Sequence, residues 1–166
     1  MSSIIDSLAD AMRTGTVCDF TSESDCSISS SEFADLVGGR GTVALNEMHP
    51  RGLQAKGLHV TGDINWSFDR WSAVRLDGCT FDSAIHAPGL RVDGELRITN
   101  AKLAGIKLVD ARVDGDLSFV GSTVGGEANE VPQFVVNMDS IAVNGSLHMS
   151  EMVIRGQAGA RLPADS

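Results

Sequence analysis

From Leu53 to Gly156, apolar residues recur at positions one, three, six and eight of a unit ten or eleven residues long. Position one reads Leu53, Ile64, Val74, Ile85, Leu96, Ile106, Leu117, Val136 and Leu147. Position three reads Ala55, Trp66, Leu76, Ala87, Ile98, Leu108, Phe119, Met138 and Met149. Position six runs from Leu58 to Met152 and position eight from Val60 to Ile154. Only Asp69 and Ser122 break the apolar set, and position ten is Gly in seven units, with Ala73 and Ser83 in the other two. Steps of two are strand periodicity. The extra residue after each pair turns a corner, so the next pair also points inward. Four short faces then make one coil, which two units of about 21 residues in all close. The pattern predicts an all-β fold, a parallel β-helix with a quadrilateral cross-section. Four to five coils stacked at about 4.8 Å would make a rod roughly 22 Å long.

The flanks read differently. Residues 1–52 form a small helical N-terminal cap. One helix is expected over 3–13, with Ile4, Ile5, Leu8 and Met12 at helical spacing and Gly15 as its stop. A second follows in SSSEFADLVGG, capped by Ser30 or Ser31 and ended by Gly38 and Gly39. The solenoid spans 53–156, and 157–166 is a C-terminal tail. Between Leu117 and Val136 the spacing stretches to nineteen residues, which places a protruding loop at about 125–135. Asp69 should turn outward and distort its unit. The expected core includes Leu96, Ile98, Leu103, Ile106, Leu108, Val113, Leu117 and Phe119, and at least one of Trp66 and Trp71. The last unit presents Leu147, Met149, Met152 and Ile154 to an interior that the tail, with Leu162 alone, covers poorly. These five residues, with Val131, Pro132 and Phe134 of the loop, are the interaction candidates, and end-to-end pairing into a homodimer is the simplest docking.

Composition changes the picture in three ways. The net charge of −9 disfavours direct binding to nucleic acid or an anionic membrane. No apolar run is long enough for a membrane span, and the start has no signal-peptide pattern, so a cytoplasmic protein is expected. Three cysteines do not make a disulfide framework. Cys79 is an inward core residue, and Cys18 and Cys26 are read as free thiols, with their pairing left open.

The unit resembles that of the pentapeptide-repeat proteins, whose right-handed quadrilateral β-helix stacks inward residues two and three apart. The strings GLHVTGDI, GLRVDGELRI and ARVDGDLSF, with Pro50-Arg51-Gly52-Leu53 leading in, are closer to a bacterial branch whose repeats read GLRIxGAxIxGxLDL. The resemblance covers about residues 30–156. It implies the right-handed solenoid and transfers no catalytic residue. Some members of that branch carry the label oxidoreductase, which no residue here supports.

Candidate chemistry is sparse. Val37-Gly38-Gly39-Arg40-Gly41 follows a helix, whereas a dinucleotide fingerprint follows a strand. His59, His86 and His148 fall on outward positions, and His49 lies in the cap. None of the four has a second ligand at metal spacing. Outward positions carry Arg75, His86, Arg97 and Lys107, then Arg91, Lys102 and Arg112. Asp93, Glu95, Asp114 and Asp116 stand one coil apart at the corners. They are read as partners of these cations, with a weak Ca²⁺ site between them as the alternative. No catalytic set, metal or cofactor is assigned. The expected function is therefore a non-catalytic scaffold or protein–protein interaction module of unknown partner. One alternative is an acidic DNA mimic that binds a DNA-processing protein. A rod of roughly 22 Å would then have to match about 13 phosphate charges, but the repeat region nets only −4, thirteen acids against nine cations. A second alternative is an enzyme or carbohydrate-binding protein with its site on a solenoid face, near Trp66, Trp71, Asp63 and Asp69.

Overall fold

Positions one and two of every unit but the second, where Asn65 makes only an isolated bridge, and positions seven and eight of all nine form the short strands of a stack of parallel sheets. The computed structural model describes residues 3–125 and 136–155. Four parallel sheets run through it. The first holds Cys18–Asp19, Leu53–Lys56, Val74–Asp77, Leu96–Thr99, Leu117–Ser118 and Leu147–His148. The second holds Ser27–Ser29, His59–Thr61, Thr80–Phe81, Lys102–Leu103, Thr123–Val124 and Val153–Ile154. The third holds Ile85–His86, Ile106–Lys107 and Val136–Asn137, and the fourth Arg70–Trp71, Arg91–Val92, Arg112–Val113 and Ala142–Val143. Odd units feed the first two sheets and even units the last two. Leu53 pairs with Val74, Val74 with Leu96, and Leu96 with Leu117. The fold is all-β, parallel and solenoid-like, with two α-helices among the described residues. The expected loop at about 125–135, with Val131, Pro132 and Phe134, lies outside the described residues, as does Leu162. The register resumes at Val136, with Ile106 on Val136 and Leu117 on Leu147.

In the first seven units the inward positions, Asp69 apart, pack as the spacing predicts. Leu96, Ile98, Leu103, Ile106, Leu108, Val113, Leu117 and Phe119 are all buried, as are both tryptophans and Cys79. Ser122, one of the two breaks in the pattern, is also buried. Its hydroxyl donates to Ile98 O at 2.9 Å and accepts from Ala101 N at 3.1 Å. It thus bridges two groups on either side of the corner one winding above, which would otherwise be buried unpaired. Ser83, an exception at position ten, does the same for the Gly62 carbonyl (3.1 Å) and the Ile64 amide (3.0 Å).

The corners follow two rules. At position ten, Gly94, Gly115 and Gly145 stack below Ala73. A Cβ on Gly115 would stand 2.8 Å from Glu95 N, so the winding above forbids a side chain. Position five is left-handed in all nine units, from Gly57 at φ 69° through Asn100 at 51° and Asp110 at 54° to Glu151 at 56°. Seven of these amides donate to the position-four carbonyl of the next winding, as Gly78 does to Thr99 at 2.9 Å and Asn100 to Val120 at 2.9 Å. Phe68 holds this conformation at φ 59° although bulky side chains disfavour it.

The N-terminal region is more than a helical cap. Helix α1 (Ile4–Thr14) has Ser3 as its N-cap and Gly15 at φ 72° as its stop, and buries Leu8, Ala9, Ala11 and Met12. Two strands then extend the sheets upward. Cys18 pairs with Ala55, and Ile28 pairs with Val60. The parallel sheets therefore begin 35 residues before Leu53, at Cys18. Helix α2 (Ser30–Val37) replaces the remaining two faces of this uppermost layer. Its N-cap is Ser29, not Ser30 or Ser31, because Ser29 ends a strand and its hydroxyl meets Glu32 N. Phe33 of α2 packs on Trp66 and Trp71, with ring centres 5.4 and 5.7 Å away. These two large inward residues fill the space that a further winding would occupy.

Candidate functional site

The stacked register decides which outward charges meet. Arg70 reaches Asp93 at 2.7 Å, and Arg112 holds Asp114 at 2.9 Å. Glu95 lies between Arg75 and Arg97, and Arg97 also reaches Asp116 at 3.0 Å. Each of Asp93, Glu95, Asp114 and Asp116 is thus paired with arginine. Among the described residues no group of three or more His, Cys, Asp or Glu is placed to hold a metal ion. Asp116 also accepts from Ser146 N at 2.9 Å, and that bond, with Arg97 and His148 nearby, holds its carboxyl below the usual range. The paired arrangement gives a mixed surface, not a continuous row of negative charge.

His59 is bonded to Asp82 at 2.6 Å, and that bond together with Gly62 N lowers the Asp82 carboxyl. His86 stacks in register with Lys107 and bridges Asn65, and His148 lies 3.9 Å from Asp116. Cys18, Cys26 and Cys79 are free thiols. Burial pushes Cys26 and Cys79 up to about 11 and raises Cys18, so all three stay protonated at neutral pH.

Two places stand out. The first is the far end of the stack. Leu147 and Ile154 are each 50% exposed and Val153 is 47% exposed. Their in-register neighbours Leu117 and Val124 are fully buried at the same positions of the winding above. Met149 and Met152 are half-buried. Leu147–His148 and Val153–Ile154 form the outer edges of the first and second sheets among the described residues.

The second place is the seam between cap and solenoid. An open cleft of about 420 Å³ lies between the start of α2 and the second unit. Ser29, Ser30, Ser31, Ala34, Asp35 and Arg40 line one side. Thr61, Gly62, Asp63, Asn65, Trp66 and Asp69 line the other. Asp69 does turn out of the core, and its partner is Arg40, at 3.3 Å, which also holds Asp35 at 2.9 Å. The spacing of the repeat brings together Asp63, Trp66 and Asp69, but the cap residues opposite them come from a tertiary contact that no motif announces. Trp66 is buried, and its indole N–H donates to Ser30 O at 3.2 Å. Phe68 is the exposed aromatic of this corner, 82% accessible, its ring lying over Gly89.

No helix among the described residues is long and apolar enough to cross a membrane. Compared with known proteins, the chain matches no family model, no curated protein and no solved structure.

Proposed function

We propose that this chain is a non-catalytic β-solenoid interaction module that docks through the apolar end of its stack, and that the occupant of that end is a second copy of the chain. The observation that carries this reading is the contrast within single sheet columns. Leu147 and Ile154 are half exposed where Leu117 and Val124 are fully buried. Exposed apolar surface beside open sheet edges recruits other chains. A two-fold axis lets the same patch meet itself and closes the assembly at two. Charge supports this arrangement, because Glu151 and Arg155, both exposed, lie on the same end and can pair across the axis. The reading includes a right-handed quadrilateral β-helix of four to five coils, as the resemblance to pentapeptide-repeat proteins implies. The four sheets and the repeat-spaced register support it.

Sedimentation at micromolar concentration is expected to give a particle of twice the 17.5 kDa chain mass. The double variant Leu147→Glu/Ile154→Glu should sediment as a folded monomer. A wild-type monomer, or a dimer indifferent to both substitutions, overturns the proposal.

A further inference from the structure

We propose that the seam cleft is a binding site for a neutral polyhydroxylated small molecule of the saccharide or polyol class. Its volume of about 420 Å³ falls within the roughly 300–1,000 Å³ of small-molecule sites. Its charges select the ligand. Asp35, Asp63 and Asp69 face one cation, Arg40, so a phosphate or carboxylate would meet a net negative wall. A bare cation would meet the guanidinium that already bridges Asp35 and Asp69. A hydroxyl group donates and accepts at once, so it satisfies both kinds of wall.

The available groups suit paired hydroxyls. Asp63 is exposed and forms no ion pair among the described residues. It offers two acceptor oxygens in one plane. Asn65 Oδ1 already accepts from Ser67 N and Oγ. That leaves its amide N–H groups as the donors that face a ligand. Ser31 adds a hydroxyl from α2. The walls belong to α2 with the turn after it and to the second unit, and Arg40 on Asp69 and Trp66 on Ser30 O link the two. This site is separate from the apolar end of the stack, and its test is independent of the dimer.

The experiment titrates the isotope-labelled protein with glucose, mannose, galactose, N-acetylglucosamine, myo-inositol, maltose and cellobiose. Backbone amide shifts and tryptophan fluorescence are read together, since Trp66 lines the cleft. At least one of these probes should shift the amides of Ser31, Asp63 and Asn65 saturably. Asp63→Ala should weaken that binding about tenfold, as expected for a lost hydrogen bond. Asn65→Asp should weaken it similarly, because it keeps the acceptor for Ser67 and removes the amide donor. Both variants should retain the wild-type far-UV spectrum and melting temperature. The proposal is overturned if none of the sugars or the inositol moves these amides. It is also overturned if the shifts survive in the combined Asp63→Ala/Asn65→Asp variant, or if inorganic phosphate or spermidine produces them in their place.

Discussion

Leu108→Asp is expected not to fold. Leu108 is an inward position-three residue with 1% exposure. Its amide donates to Asn137 O at 2.8 Å, so the backbone there is locked between two windings. Removing a buried leucine costs about 2–5 kcal/mol, and an uncompensated buried carboxylate adds several more. A domain of this size is stable by only about 5–15 kcal/mol. The variant should therefore collect in the insoluble fraction. Leu108→Met, of similar volume, should cost under about 1.5 kcal/mol and stay soluble. A soluble Asp variant with the native melting curve would refute the placement of this column in the core.

Phe33→Ala is the second large effect, and it tests the cap. Phe33 is fully buried, tilted at 32° to Trp66 and edge-on at 78° to Trp71. The two indoles are themselves 4.7 Å apart. Truncating the phenyl ring removes an aromatic side chain that packs on both. Such substitutions cost about 3–5 kcal/mol. The tryptophans should also become accessible, so iodide quenching should rise along with the loss in denaturation midpoint. In the wild type neither indole should be quenched readily. Unchanged quenching and an unchanged midpoint in the variant would mean that α2 does not cover this end of the stack.

The inward faces of the winding could be read from the sequence because side-chain burial leaves a direct trace in residue type. Leu96, Ile98, Leu103 and Ile106 name their own positions. The backbone corners left a weaker trace. Position five is left-handed throughout, yet it is occupied by Gly57, Phe68, Asn100, Asp110 and Glu151 alike. In seven of the nine units the amide there bonds to the next winding, whatever the residue type, so the left-handed corner is set by the stacked backbone more than by the local sequence. The strands Cys18–Asp19 and Ser27–Ser29 escaped notice because Cys18 and Cys26, which match Ala55 and Leu58 in register, stand eight residues apart and not three. That insertion hides the period. Asp93, Glu95, Asp114 and Asp116 were placed beside the arginines by spacing alone, and the sheets bring them together. Half of the seam cleft was legible in the same way, through Asp63, Trp66 and Asp69. The other half depends on where α2 docks, and Phe33 and Arg40 carry no signal of that until the chain is folded.

The central claim is that successive windings lie parallel and in register. Paired cysteines on an outward column test it most directly. Lys102 pairs with Thr123, and Thr123 pairs with Val153. Adjacent strands are about 4.8 Å apart, within the roughly 4.4–6.8 Å that a disulfide spans between Cα atoms. Two strands lie about 9.6 Å apart on the same spacing, which is too far. Mild oxidation of Lys102→Cys/Thr123→Cys should give an intramolecular disulfide, mapped by mass spectrometry of the digested protein. Lys102→Cys/Val153→Cys should give none. A missing cross-link in the first pair, or an efficient one in the second, would contradict the stacking on which the rest of the account stands.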